Sequence, residues 1–157
     1  MTILEDTRQQ AGKHEIKHRY FQAAAIDVVR CKVPWGDYAL APAVAIDTKA
    51  SLDEIAANIG GKEHRRFVSE CKAAKAAGCK LFILVENELG ITDISQVHTW
   101  VNPRAIYSPN CIQGPRLERA MRTISERYNV TFLFCAPEES GAVIMGVLER
   151  YGNKQRE

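Results

Sequence analysis

Residues 36–53 read GDYALAPAVAIDTKASLD, and this stretch restricts the fold more than any other. Tyr38-Ala39-Leu40 and Val44-Ala45-Ile46 flank Pro42, the pattern of two short strands joined by a turn. Strand side chains alternate between the two faces of a sheet. In the second strand Val44, Ile46 and Thr48 therefore face one way, and Ala45, Asp47 and Lys49 the other. In the first, Asp37 shares its face with Ala39 and Ala41. The spacing predicts one apolar row packed under a helix and one row on which Asp37, Asp47 and Lys49 converge beside small alanines. Two carboxylates and a lysine so placed suit metal-assisted attack on phosphate. A solvated hairpin face with three ordinary charges is the other reading of the same spacing.

The remaining chain bounds the class. Its 157 residues make one domain's worth of chain, long enough for a real core, with residues 1–151 as the domain and 152–157 as a polar tail. Hydrophobic residues are 46% and charged residues 25%, an ordinary soluble composition. A net charge of +2 does not by itself name a nucleic-acid partner, so the placement of basic residues has to decide. The five cysteines show no CxxC and no short ligand spacing, which argues against structural zinc and for reduced thiols in a cytoplasm. There is no signal pattern and no apolar run of spanning length, so neither export nor a membrane partner is expected.

Elements of both periods alternate along the chain. Residues 2–5 read as a strand that delivers Asp6-Thr7-Arg8 to its C-terminal end, a common place for functional groups in α/β sheets. A helix over 13–25 puts Ile16, Tyr20 and Ala24 on one face and charges on the other. His14-Glu15-Ile16-Lys17-His18 matches the HExxH zinc-protease pattern, but Lys13, Lys17 and Arg19 give the helix a solvated face and no third ligand follows. A surface helix whose histidines approach phosphate is the better reading. A strand over 26–31 ends at Pro34-Trp35-Gly36.

After Lys49 the pattern gives a helix over 52–59 closed by Gly60-Gly61, where Asp53 reads as an N-terminal charge. A second helix, 62–77, places Phe67, Cys71 and Ala74 inside and Lys62, Arg65, Ser69 and Lys72 outside. Residues 81–85 suit a buried strand. Residues 87–114 are irregular, with a strand near 105–107. Pro115 opens a helix with Leu117, Met121, Ile124 and Tyr128 on its apolar face. A strand over 130–135 and a last helix after Pro137 follow, the latter apolar from 142 to 148 and either core or interface.

The ordered set DTRQQ at 6–10, GDY at 36–38, IDTK at 46–49 and Asp53 four residues after the lysine resembles the nuclease domain of XPF-type structure-specific endonucleases (the XPF/Hef family), within the PD-(D/E)XK superfamily. Their pattern is DxRE, GDY, ERK and a following Asp. The resemblance continues through GGKEHRRFVSEC, the strand at 81–86 and, more weakly, GPRLERAMRTISERYNVTFLFCA. It implies an α/β, restriction-endonuclease-like fold: a mixed central sheet flanked by helices. It implies Mg²⁺, with Mn²⁺ as substitute, held by Asp37 and Asp47 with Asp6 as a further ligand. Lys49 acts on the attacking water, and Arg8 and Asp53 support. Lys62, Arg65 and Arg66 become a clamp for the DNA backbone, which gives affinity without reading sequence. The implied substrate is branched or junction DNA, and the implied assembly is a homodimer through the C-terminal helices.

Two departures stand out. Gln9 replaces the glutamate of DxRE, and Asp47-Thr48-Lys49 replaces ERK. Aspartate still binds a hard cation through oxygen, and Thr48 points away from the Asp47/Lys49 face. The tandem helix-hairpin-helix module of such enzymes has no room in this length, so a stand-alone domain in a bacterial or phage-infected cell is expected. The alternative is a nuclease fold impaired by these changes that serves as a DNA-binding or scaffold subunit.

Overall fold

The computed structural model describes residues 2–8, 10, 12–40 and 44–153. Gln9, the turn at Pro42 and the last four residues of the tail lie outside the described residues. Strands β1 (Thr2–Asp6), β2 (Asp27–Cys31), β3 (Tyr38–Leu40), β4 (Val44–Lys49), β5 (Lys80–Glu86) and β6 (Thr131–Cys135) form one sheet. Its order is β2-β1-β3-β4-β5-β6. β3 runs antiparallel to both β1 and β4, and the other pairs are parallel, so the sheet is mixed as the resemblance implies. Helices α1 (Glu15–Ala23), α2 (Leu52–Gly60), α3 (His64–Ala76), α4 (Gly114–Tyr128) and α5 (Ser140–Asn153) cover it.

Both faces are buried, as a sheet with helices on both sides requires. One core joins Ala39, Ala45, Ile83 and Val85 to Ile55, Phe67, Cys71, Leu117 and Met121 from α2, α3 and α4. The other joins Tyr38, Val44, Ile46 and Leu84 to Phe21 of α1 and Ile144 and Leu148 of α5. Alternation along β4 thus sorts its side chains as the sequence predicts, but onto two cores rather than one core and solvent.

The first helix turns a different face inward from the one its apolar residues mark. Ile16 and Tyr20 are 42% and 36% exposed, whereas Lys17 and Phe21 are buried. Lys17 is drawn in because Glu86, at the end of β5, ion-pairs with it. His14 is buried as well, so the solvated helix face is corrected at two of its polar positions.

Residues 105–107 form no strand. Two 3-10 turns, Ile94–Thr99 and Pro103–Ile106, occupy this segment. Side-chain amides and acids fix its path: Asn87 bonds Leu89 and Ile91, the Asp93 and Gln96 side chains cap the first turn, and Asn102 caps the second and reaches the Ile112 carbonyl. Such bonds carry no hydrophobic period, which is why pattern reading misses them. No helix among the described residues is long and apolar enough to cross a membrane. All five cysteines are free thiols.

Candidate active site

The sheet register builds the site. Glu5 pairs with Tyr38, and Tyr38 with Ile46. The next step along that register sets Asp6, Asp37 and Asp47 in one row across β1, β3 and β4. Backbone bonds from Asp6 N–H to the Asp37 carbonyl (2.8 Å) and from Asp37 N–H to the Ile46 carbonyl (2.7 Å) extend the ladder there. Gly36 makes the approach possible. Its φ is +75°, and a Cβ would stand 2.9 Å from the Ile46 carbonyl oxygen, so only glycine fits. Its N–H donates to Glu70 Oε1 on α3 at 3.0 Å.

The row opens into a cleft of about 760 Å³. Its wall includes Asp37, Asp47 and Lys49, with Asp6, Arg8 and Lys13 on one side and Arg66, Ser69, Glu70 and Ala73 on the other. The last four recur at helical spacing, one stripe of α3 facing the cleft. Glu70 was missed in the sequence, although it shares this stripe with Arg66.

Asp47 is buried beside Lys49, whose Nζ stands 2.8 Å from Oδ2. Burial pushes the Asp47 carboxyl up, the Lys49 charge opposes this, and Asp37 and Glu70 add to it; the result is about 7. Burial also raises the Asp37 carboxyl, against two bonds from Thr48. For Lys49 burial disfavours the charge, but Asp47, Glu54 and Asp37 outweigh it, so the ammonium is held above its ordinary value. Its Nζ also lies 5.7 Å from the centre of the Phe67 ring.

The supporting residues have definite places. Asp6 is buried; Oδ2 accepts from Arg8 Nε at 2.5 Å, and Oδ1 from the Val33 N–H at 3.3 Å. Arg8 also donates to the Val33 carbonyl at 2.7 Å, which pins its guanidinium to the loop before Gly36. Asp53 lies in the first turn of α2, where Ser51 is the N-cap. Its Oδ1 is buried without a hydrogen-bond partner, and it lines a separate apolar hollow with Leu89, Ile91, Trp100 and Val101. Of the basic group, Arg66 lines the cleft, while Arg65 beside it on α3 and Lys62, just before that helix, are exposed outside the cleft wall. The two histidines of HExxH do not converge on one ligand. His18 bonds Glu5 at 2.7 Å, and His14 bonds Tyr38 at 2.6 Å from inside the fold.

No group of three or more His, Cys, Asp or Glu side chains among the described residues is arranged to hold a metal. Three buried carboxylates line the cleft; Asp6 is taken up by Arg8 and the Val33 N–H, which leaves Asp37 and Asp47 beside Lys49. That fits Mg²⁺, which keeps several waters and takes one or two carboxylates plus substrate phosphates.

Comparison with known proteins agrees with this fold. Residues 6–147 match the model of the ERCC4 domain. Among solved structures the chain is similar to XPF from Aeropyrum pernix, at TM-score 0.69 and 16% identity over 97% of this chain and 65% of that one. It is likewise similar to XPF from Aeropyrum pernix in complex with DNA, at TM-score 0.69 and 17% identity over 98% of this chain and 66% of that one. The chain thus spans just under two thirds of the length of these structures. No curated protein matches.

Proposed function

The chain belongs to the ERCC4 domain family, and we propose that it is a divalent-metal-dependent endonuclease that hydrolyses phosphodiester bonds in branched or otherwise structured DNA. One observation carries the reading: Asp37 and Asp47 are buried side by side in the wall of an open cleft, with Lys49 Nζ 2.8 Å from Asp47 Oδ2. Two neighbouring buried carboxylates beside one lysine leave negative charge uncompensated, and a cation resolves that cost. The XPF structure with bound DNA supports DNA as the ligand class for this fold.

Asp37 and Asp47 would hold Mg²⁺, or Mn²⁺ in its place, which would supply a water of lowered pKa and charge compensation at the phosphate. Lys49 keeps its proton, orients the attacking water and offsets charge that develops on the phosphoryl oxygens. Asp6 holds Arg8 in place, and Arg8, Lys13 and Arg66 receive phosphates along the cleft mouth. Lys62 and Arg65 extend that track along α3 by charge alone. Asp53 supports the α2 N-terminus next to Lys49. Pairing of two copies uses α5, where Ala142 and Gly146 are exposed and Val143 and Val147 half-buried.

The test is cleavage of fork, flap, four-way-junction and linear DNA with Mg²⁺ or Mn²⁺, for the wild type, Asp37→Ala and Lys49→Ala. Cutting of structured DNA that chelation stops and that either substitution lowers at least about 100-fold is the expected result. Cutting that survives both substitutions overturns the site. Binding without cutting under any metal favours a scaffold subunit instead.

A further inference from the structure

Asp37 is gripped from behind the cleft, from the face of β4 that the sequence marks as plain core. Thr48 N–H and Thr48 Oγ1 both donate to Asp37 Oδ2, at 2.7 and 2.5 Å. A hydroxyl has one proton to give, so Thr48 can only accept from the next group along. That group is His14 Nε2, 3.4 Å away, which must then carry the hydrogen. The other ring nitrogen, Nδ1, lies 2.6 Å from the Tyr38 hydroxyl. The two rings stack at 5.4 Å between centroids and 27° between planes. With the ring neutral, Nδ1 accepts from the phenol. Burial, helped by Lys17, Lys13 and His18, presses the imidazole down to about 3, which keeps it neutral at ordinary pH. Tyr38, His14 and Thr48 are themselves almost wholly buried. Every bond in the chain then points the same way, from Tyr38 through His14 and Thr48 to Asp37.

We propose that Tyr38, His14 and Thr48 form a one-directional hydrogen-bond relay that fixes the Asp37 carboxylate in the orientation with which it faces a divalent cation in the cleft. The residues are positioning residues, not catalytic ones: none of them lines the cleft except Thr48, through the strand it sits on. The proposal rests on the reading of Asp37 as a cation ligand. Physically, two donors on one carboxylate oxygen stop the group from turning, and the ring behind Thr48 stops its hydroxyl from turning in its place. Partners that orient a ligand in this way change metal affinity by about 10–100-fold when removed.

The full-length protein without metal is first read by long-range ¹H–¹⁵N spectra of its histidine rings, with His14→Gln used to assign the His14 signals. The expected pattern at neutral pH is a protonated Nε2 and a bare Nδ1. Mn²⁺ affinity is then measured by calorimetry for the wild type, Thr48→Val, Thr48→Ser and His14→Gln, each checked for the wild-type circular dichroism spectrum. Thr48→Val is expected to bind about 10-fold more weakly or worse, with Thr48→Ser restored to within about threefold. His14→Gln, which keeps a donor toward Thr48, falls between them. A protonated Nδ1, an imidazolium, or equal Mn²⁺ affinity in Thr48→Val and the wild type overturns the relay while leaving the nuclease reading intact. A wild type that binds no Mn²⁺ overturns both. If Thr48→Val does not fold, the ring tautomer and the Thr48→Ser and His14→Gln affinities still decide.

Discussion

On one face of β4, Asp47 and Lys49 look into an open cleft; on the other, Thr48 lies beneath α1 among buried His14 and Tyr38, with Lys17 and Glu86 nearby in the same layer. Both faces hold charges removed from water. They differ in what satisfies those charges. Behind the sheet each polar group meets a protein partner: Lys17 with Glu86, Glu5 with His18, His14 with Tyr38. In the cleft two buried carboxylates, Asp37 and Asp47, stand beside one lysine, and Asp37 helps push the Asp47 carboxyl up. Negative charge that the protein leaves uncompensated is charge that a cation can complete. The closed layer therefore serves the fold and the open one serves chemistry, with Asp37 touched by both.

The largest effect should come from splitting the closed layer. Lys17→Ala leaves Glu86 charged and buried, and is expected to cost about 3–5 kcal/mol in urea unfolding. Replacing both, as Lys17→Met with Glu86→Leu, should recover most of that loss. Equal stability of the single and double variants would show that the two layers do not differ as described.

Next is Lys49→Ala, which should lower the single-turnover cleavage rate about 10²–10³-fold, in line with losing one preorganised charge donor. DNA affinity should change little, because the cleft keeps Arg8, Lys13 and Arg66.

pH separates the layers by sign. Asp47 in the metal-free fold titrates near 7 against an ordinary 3.8, so the folded chain keeps that proton longer than the unfolded one. Its contribution to stability is whole below about 3.8 and is lost as pH rises through about 7. His14 runs the other way: at about 3 against an ordinary 6.5, its contribution is whole above about 6.5 and is lost as pH falls toward 3. The two windows overlap with opposite sign, so in denaturation at pH 4.5, 6 and 8 (conditions set by those windows) stability should rise more steeply with pH in Asp47→Asn and fall with pH in His14→Gln. The smallest effect concerns the cleft rim, where Arg66→Ala should lower the slope of log affinity against log salt by about 1 for any DNA sequence.

Much of this was legible in the residues. Alternation in β4 placed Asp47 and Lys49 together on the face that Asp37 shares, whereas the close approach that Gly36 permits at the Ile46 carbonyl carries no sequence period. The mixed sheet followed from the resemblance and from strand-length runs between helical ones. Lys17 and His14 were not legible, because local pattern assigns a lysine-rich helix to solvent and the partners that bury it lie far off in sequence, in Glu86, Tyr38 and Thr48. Thr48 was read as pointing idly away; it does point away, and its hydroxyl meets Asp37 from that side. Residues 105–107 looked like a strand because a short β-prone run has no period that separates it from a 3-10 turn capped by Asn102.

The most direct measurement of the central claim is the single-turnover rate of Asp47→Asn on a DNA fork at saturating protein and Mn²⁺. Asparagine keeps the size of the side chain and removes the charge that faces the cation. The account predicts a fall of at least about 100-fold, beyond what outer partners of a metal site contribute, with fork binding unchanged. A rate within about threefold of the wild type, under the same limits that distinguish ligands from bystanders, would contradict it.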